Sequence, residues 1–111
     1  MQRLSFTVAD QDLVIALAGE IIMDMVLESK TELGRLVAGH EGRGVVLDLA
    51  DVTFMDSSGV GLLIGLRRQC QDRGLDFRVA NPCPPIRKLF DTLRLTEFFA
   101  VPQPEAANPA S

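Results

Sequence analysis

A carboxylate and two adjacent hydroxyls, Asp56-Ser57-Ser58, stand directly before Gly59-Val60-Gly61, and no other stretch of this chain is better suited to chemistry. Upstream, Val45-Val46-Leu47-Asp48-Leu49 is a β-branched apolar run that reads as a strand. Downstream, Leu62, Leu63, Leu66 and Cys70 recur at helical spacing. The serines therefore fall where a strand passes through a loop into a helix N-terminus. Free N–H groups and the positive end of the helix dipole point outward at such a place, which suits a capping side chain or an anion. A hydroxyl held there beside glycines is fitted to receive a phosphate or to meet a partner protein. Ser57 is the expected cap, which leaves Ser58 in the first turn with its hydroxyl free.

Plain helix capping would also explain Asp56-Ser57-Ser58, and the helix that follows decides between the readings. Leu62, Leu63, Leu66 and Cys70 form its core side, while Val60, Gly61, Ile64, Gly65 and Arg68 fall on the other. Glycine inside a helix costs roughly 1 kcal/mol relative to alanine. An outward face of small and apolar residues beside a hydroxyl is therefore read as a place where another protein's backbone comes close.

Rival chemistries fit less well. Gly59-x-Gly61-x-x-x-Gly65 could serve a dinucleotide-binding loop or a small-nucleotide sensor, but the glycines lie ten or more residues beyond the obvious strand, not directly after it. A hydrolase elbow needs glycine two residues before its serine, and Met55 and Asp56 stand there instead. His40 is the single imidazole, expected to be solvated in the loop His40-Glu41-Gly42-Arg43-Gly44. Cys70 and Cys83 lack metal spacing and read as free thiols, Cys70 buried. No enzyme activity and no cofactor are expected.

The 111 residues fit one domain, and 47% apolar content is enough for a core without metals or disulfides. A net charge of −4 with no Lys/Arg cluster argues against nucleic acid. Met1-Gln2-Arg3-Leu4-Ser5-Phe6-Thr7-Val8 lacks the apolar core of a signal peptide, and no run reaches membrane-spanning length, so a cytoplasmic protein without direct membrane insertion is expected.

Several elements must position the serines. Leu4–Val8 and Leu13–Leu17 read as a hairpin about Asp10-Gln11-Asp12, with Gly19 ending the second strand. Val26, Leu33, Leu36 and Val37 mark a first helix capped by Asp24 and stopped at Gly39. Gly74 closes the second helix, Leu75–Ala80 is a fourth strand, and Pro84-Pro85 opens a third helix through Ile86, Leu89, Phe90 and Leu93. Phe98–Val101 reads as a short strand or extended apolar segment, and residues 102–111 as a disordered tail. The fold class is α/β, a mixed sheet of four to five strands with helices packed against it and parallel members joined by helical crossovers.

With these elements in place, Phe54-Met55-Asp56-Ser57-Ser58-Gly59-Val60-Gly61 resembles the signature of the STAS domain of bacterial anti-sigma-factor antagonists. The resemblance extends from about Leu4 to Val101, giving a STAS domain over residues 1–101. It takes in Gly19-Glu20, Leu47-Asp48-Leu49 and Pro85-Ile86-Arg87-Lys88-Leu89-Phe90. It implies a partner switch in which an ATP-using anti-sigma serine kinase phosphorylates the serine before the glycine, here Ser58, and a metal-dependent serine phosphatase reverses it. The unphosphorylated form binds the kinase and frees the sigma factor. Ile22, Met23 and Asp24, together with Asp56, Ser57, Ser58, Gly59, Val60, Gly61, Ile64 and Arg68, are the expected partner contacts. After Gly19-Glu20-Ile21 the family pattern has Asp, whereas here Ile22 and Met23 intervene before Asp24, which implies a more apolar contact or a different partner. An alternative is a STAS partner-switch or accessory subunit controlling a non-sigma target such as a secretion, signalling or membrane transport assembly; a transport subunit would dock without phosphorylation.

Overall fold

The computed structural model describes residues 4–102; of the tail expected over residues 102–111 it includes Pro102, whose carbonyl accepts an Arg87 N–H at 3.2 Å, and the rest lies outside the described residues. Strands β1 (Leu4–Ala9) and β2 (Asp12–Ile21) form an antiparallel hairpin, followed by α1 (Met23–Gly39), β3 (Gly44–Met55), α2 (Ser57–Asp72), β4 (Asp76–Ala80) and α3 (Pro84–Thr92). The sheet has four strands in the order β1-β2-β3-β4, and the β2–β3 and β3–β4 pairs are parallel. Each parallel pair is joined through one helix, as the alternation of strand and helix patterns implies.

The hairpin turns on two residues, Asp10 (φ 50°) and Gln11 (φ 72°), both left-handed. That conformation matches the natural twist of paired strands. One layer of the core runs straight across the sheet: Ile15, Leu47 and Val79 are in register and fully buried. Leu33 and Val37 of α1 and Leu63, Leu66 and Cys70 of α2 belong to the same cluster. The Gln69 amide of α2 donates to the Gly34 carbonyl of α1 at 2.8 Å and joins the two helices.

Both central strands are longer than the sequence pattern suggested. Gly19 does not end β2: its positive φ of 83° lets the chain pass an irregularity and resume pairing at Glu20–Phe54 and Ile21–Met55. β3 continues past Leu49 to Met55, directly against the Asp56-Ser57-Ser58 motif. The glycines therefore lie close behind a strand, and spacing alone does not exclude a nucleotide loop.

Helix ends also differ in detail. Helices expected near Asp24, Ser58 and Pro85 begin at Met23, Ser57 and Pro84. Ile22 holds the N-cap position of α1 without a side-chain bond, and Asp24 sits inside the first turn, where its charge suits the dipole. α1 stops as expected at Gly39, its last helical residue. α2 closes as expected at Gly74 (φ 74°), with Leu75 N–H on Cys70 O at 2.9 Å and Gly74 N–H on Gln71 O at 3.1 Å, the paired bonds of a Schellman ending.

His40 is buried, not solvated; its Nε2 lies 3.1 Å from the Gln11 carbonyl, tying the end of α1 to the hairpin. Phe98–Val101 is no strand. Leu95 to Val101 wind through turns that bury Phe99 against Phe90 and Phe77, and the Phe99 carbonyl accepts Val79 N–H at 2.9 Å at the β4 edge. Arg67 stacks 3.8 Å above the Phe98 ring and donates to its carbonyl, pinning this segment to α2.

Candidate functional site

The motif is built where the two longest strands end side by side. Asp56 N–H donates to the Ile21 carbonyl at 3.2 Å, which locks the entry of α2 onto the end of β2. The Asp56 carboxylate then accepts Ser58 N–H at 2.9 Å and Gly59 N–H at 3.1 Å. Asp56, not Ser57, is therefore the cap. A carboxylate satisfies two orphan N–H groups at once and carries charge that the helix dipole favours, so it outcompetes the neighbouring hydroxyl.

This frees both serines. Neither hydroxyl has a hydrogen bond among the described residues. Ser57 is exposed at the first helical position, and Ser58 is half-buried at the second. Ser58 lines the mouth of a cleft between α1 and α2, with Met23 and Leu27 on the opposite wall.

Val60 is buried, which corrects its place on the outward face, and Gly59, expected among the partner contacts, is buried as well. A Cβ on Gly59 would stand 2.5 Å from Met55 Cγ and 2.8 Å from the Ile21 carbonyl oxygen. The glycine is required by the seat of α2 on β2, not by an approaching partner. Gly61, Gly65 and Arg68 do lie on the open side, and Ile64 is half-buried at its border. A Cβ at Gly61 or Gly65 would meet nothing within 4 Å, so packing inside the domain does not account for those two glycines.

Of the residues before α1, Ile22 is half-buried, Asp24 is exposed and Met23 is 56% exposed. Two further apolar side chains stand out that the sequence pattern did not single out: Leu27 at 64% and Phe54 at 52% exposure. Leu27 is four residues beyond Met23, so their shared face was readable once the helix start was fixed. Phe54, at the end of β3, lines a shallow hollow with Pro85 and Leu89 of α3.

No imidazole can serve these serines as a base. His40 ends α1, a helix of 17 residues whose first turn is the part near Ser58, and it is some 25 Å of helix away at about 1.5 Å per residue. Among the described residues no group of three His, Cys, Asp or Glu side chains is placed to hold a metal, and no helix is long and apolar enough to cross a membrane.

Comparison with known proteins agrees with this geometry. The family model described as STAS domain matches residues 3–107. The anti-sigma F factor antagonist of Lysinibacillus sphaericus is 30% identical over 83 residues, covering 75% of this chain and 71% of the relative. Among solved structures, the anti-sigma factor antagonist SpoIIAA in its unphosphorylated form superposes with a TM-score of 0.75 at 26% identity, over 94% of this chain and 91% of that one. The phosphorylated form of SpoIIAA, a Bacillus cell fate determinant, gives 0.69 at 26% identity, over 94% and 95%.

Proposed function

The chain belongs to the STAS domain family, and from that premise we propose that it is a phosphorylation-controlled anti-sigma-factor antagonist. Unphosphorylated, it binds a cognate anti-sigma serine kinase in the cytoplasm and releases the sigma factor. Phosphorylation of Ser58 by that kinase ends the binding, and a serine phosphatase restores it. The chain itself performs no catalysis.

The observation that carries this reading is Ser58 itself. Its hydroxyl is unpaired, half-open at the mouth of a helix, and flanked by exposed Met23 and Leu27 and by the open backbone of Gly61. An apolar, side-chain-poor surface allows close contact and loss of water around the hydroxyl.

Phosphate placed there would carry about −1.5 to −2 charges at neutral pH. At a helix N-terminus such charge is favourable by roughly 0.3–1 kcal/mol, so the fold would tolerate it. The likeness of this chain to SpoIIAA in both its unphosphorylated and phosphorylated forms supports that view. In a close interface the same charge would be stripped of water beside the Asp56 carboxylate. Each 1.4 kcal/mol lost weakens binding about tenfold, so a few kcal/mol are enough to exchange partners. The switch then works at the surface and needs no refolding.

Titration calorimetry with the cognate kinase tests the reading. Ser58→Ala is expected to bind persistently even in the presence of ATP, and Ser58→Asp to bind more weakly than the unmodified chain. Equal binding of all three forms, with and without ATP, would remove Ser58 from the switch.

A further inference from the structure

The cleft between α1 and α2 has a volume of about 490 Å³. Its floor is apolar, made by half-buried Val26 and buried Leu62 and Leu66, and Met23 and Leu27 stand along its α1 rim. On the α2 side it is held open by Gly61 and Gly65, which carry no side chains to fill it.

Lys30 is the one charged side chain among its described lining residues. The residues three and four positions to either side of it on α1 are Val26, Leu27, Leu33 and Gly34, so its own helix supplies no acidic neighbour. The α2 wall offers Ser58, Gln69, glycines and leucines, and again no carboxylate. Lys30 accordingly has no ion pair among the described residues. A cation without a counter-ion at the edge of an apolar cleft is complemented by an anion carried on an apolar body.

Size selects the kind of molecule. The Gln69–Gly34 hydrogen bond of 2.8 Å closes one end of the cleft, leaving a short pocket that ends between the helices. The volume does fall within the roughly 300–1,000 Å³ of small-molecule sites, which are apolar with a few placed polar groups.

We propose that this cleft binds a small amphiphilic anion of the acyl carboxylate type, with its chain over Gly61 and Gly65 and its head group at Lys30. The cleft shares Met23, Leu27, Ser58 and Gly61 with the surface proposed to meet the kinase, but ligand binding there does not require the switch and is tested without any kinase.

The probe is decanoate, titrated below its micelle concentration into the full chain and followed by amide NMR, with decyltrimethylammonium as the matched cation. Decanoate is expected to shift the amides of Lys30, Gly61 and Gly65 saturably, and to bind about tenfold more tightly than the cation. Gly65→Leu fills the cleft at an exposed helical position and is expected to weaken decanoate about tenfold or more, while Lys30→Gln weakens it about threefold. Gly61→Leu repeats the filling test should Gly65→Leu disturb the spectrum of the fold. No saturable shift, unchanged affinity in both filled variants, or a preference for the cation would each overturn the proposal.

Discussion

The carboxylate of Asp56 holds the backbone N–H of Ser58 at 2.9 Å. The residue proposed to accept phosphate is thus fixed through its main chain while its hydroxyl is left unoccupied. Capping falls to Asp56, and the proposed acceptance to Ser58. Asp56→Ala is expected to lose about 1 kcal/mol of folding stability, and Ser57→Ala to change it by less than about 0.5 kcal/mol. Urea denaturation of the two variants measures both.

The glycines of the motif separate in the same way. Gly59→Ala places a Cβ 2.8 Å from the Ile21 carbonyl, a backbone atom that cannot swing aside. A loss of about 1–3 kcal/mol is expected from this overpacking. Gly61→Ala and Gly65→Ala meet open space and are expected to gain up to about 1 kcal/mol in helix stability. Thermal melts of the three variants should rank Gly59→Ala far below the others.

How far the sequence revealed this arrangement depends on which forces act locally. The start of α2, the hairpin and the parallel pairs were readable, because strand alternation, helical period and the glycine endings are written along the chain. Asp56 as the cap was not readable in preference to Ser57, since both residue types cap and only the geometry chooses. The length of β2 was hidden by Gly19, which in sequence resembles a strand end and in the fold carries the strand through an irregularity. His40 was expected in solvent because nothing along the chain announces that the hairpin carbonyl of Gln11 lies against it. Val60 was assigned to the outward face by a helical wheel that leaves out the strands against which α2 is seated.

Met23 gives the cleanest probe of the surface beside Ser58. It is exposed at the first helical position, where an acidic side chain suits the dipole. Met23→Asp is expected to keep the melting temperature and weaken kinase binding about tenfold. Ile22→Asp is a poorer probe, because Ile22 is half-buried at the N-cap of α1. Calorimetric titration of Met23→Asp against the kinase reads the effect.

Burial raises the Cys70 thiol from 9.0 to about 11, with Arg73 opposing the shift. The folded state keeps its proton where the unfolded chain has lost one. The stability contributed by Cys70 is therefore complete below pH 9.0 and declines as pH rises toward about 11. A thiol reagent at pH 8 is expected to leave Cys70 unmodified in the native protein and to label it in denaturant, with peptide mass analysis locating the adduct.

The central claim is that Ser58, and not its neighbour, receives the phosphate. Its most direct test is incubation of the unmodified chain, Ser57→Ala and Ser58→Ala with the cognate kinase and labelled ATP. Labelling is expected to persist in Ser57→Ala and to vanish in Ser58→Ala, while both variants keep the fold. Strong labelling of Ser58→Ala together with none of Ser57→Ala would contradict the assignment.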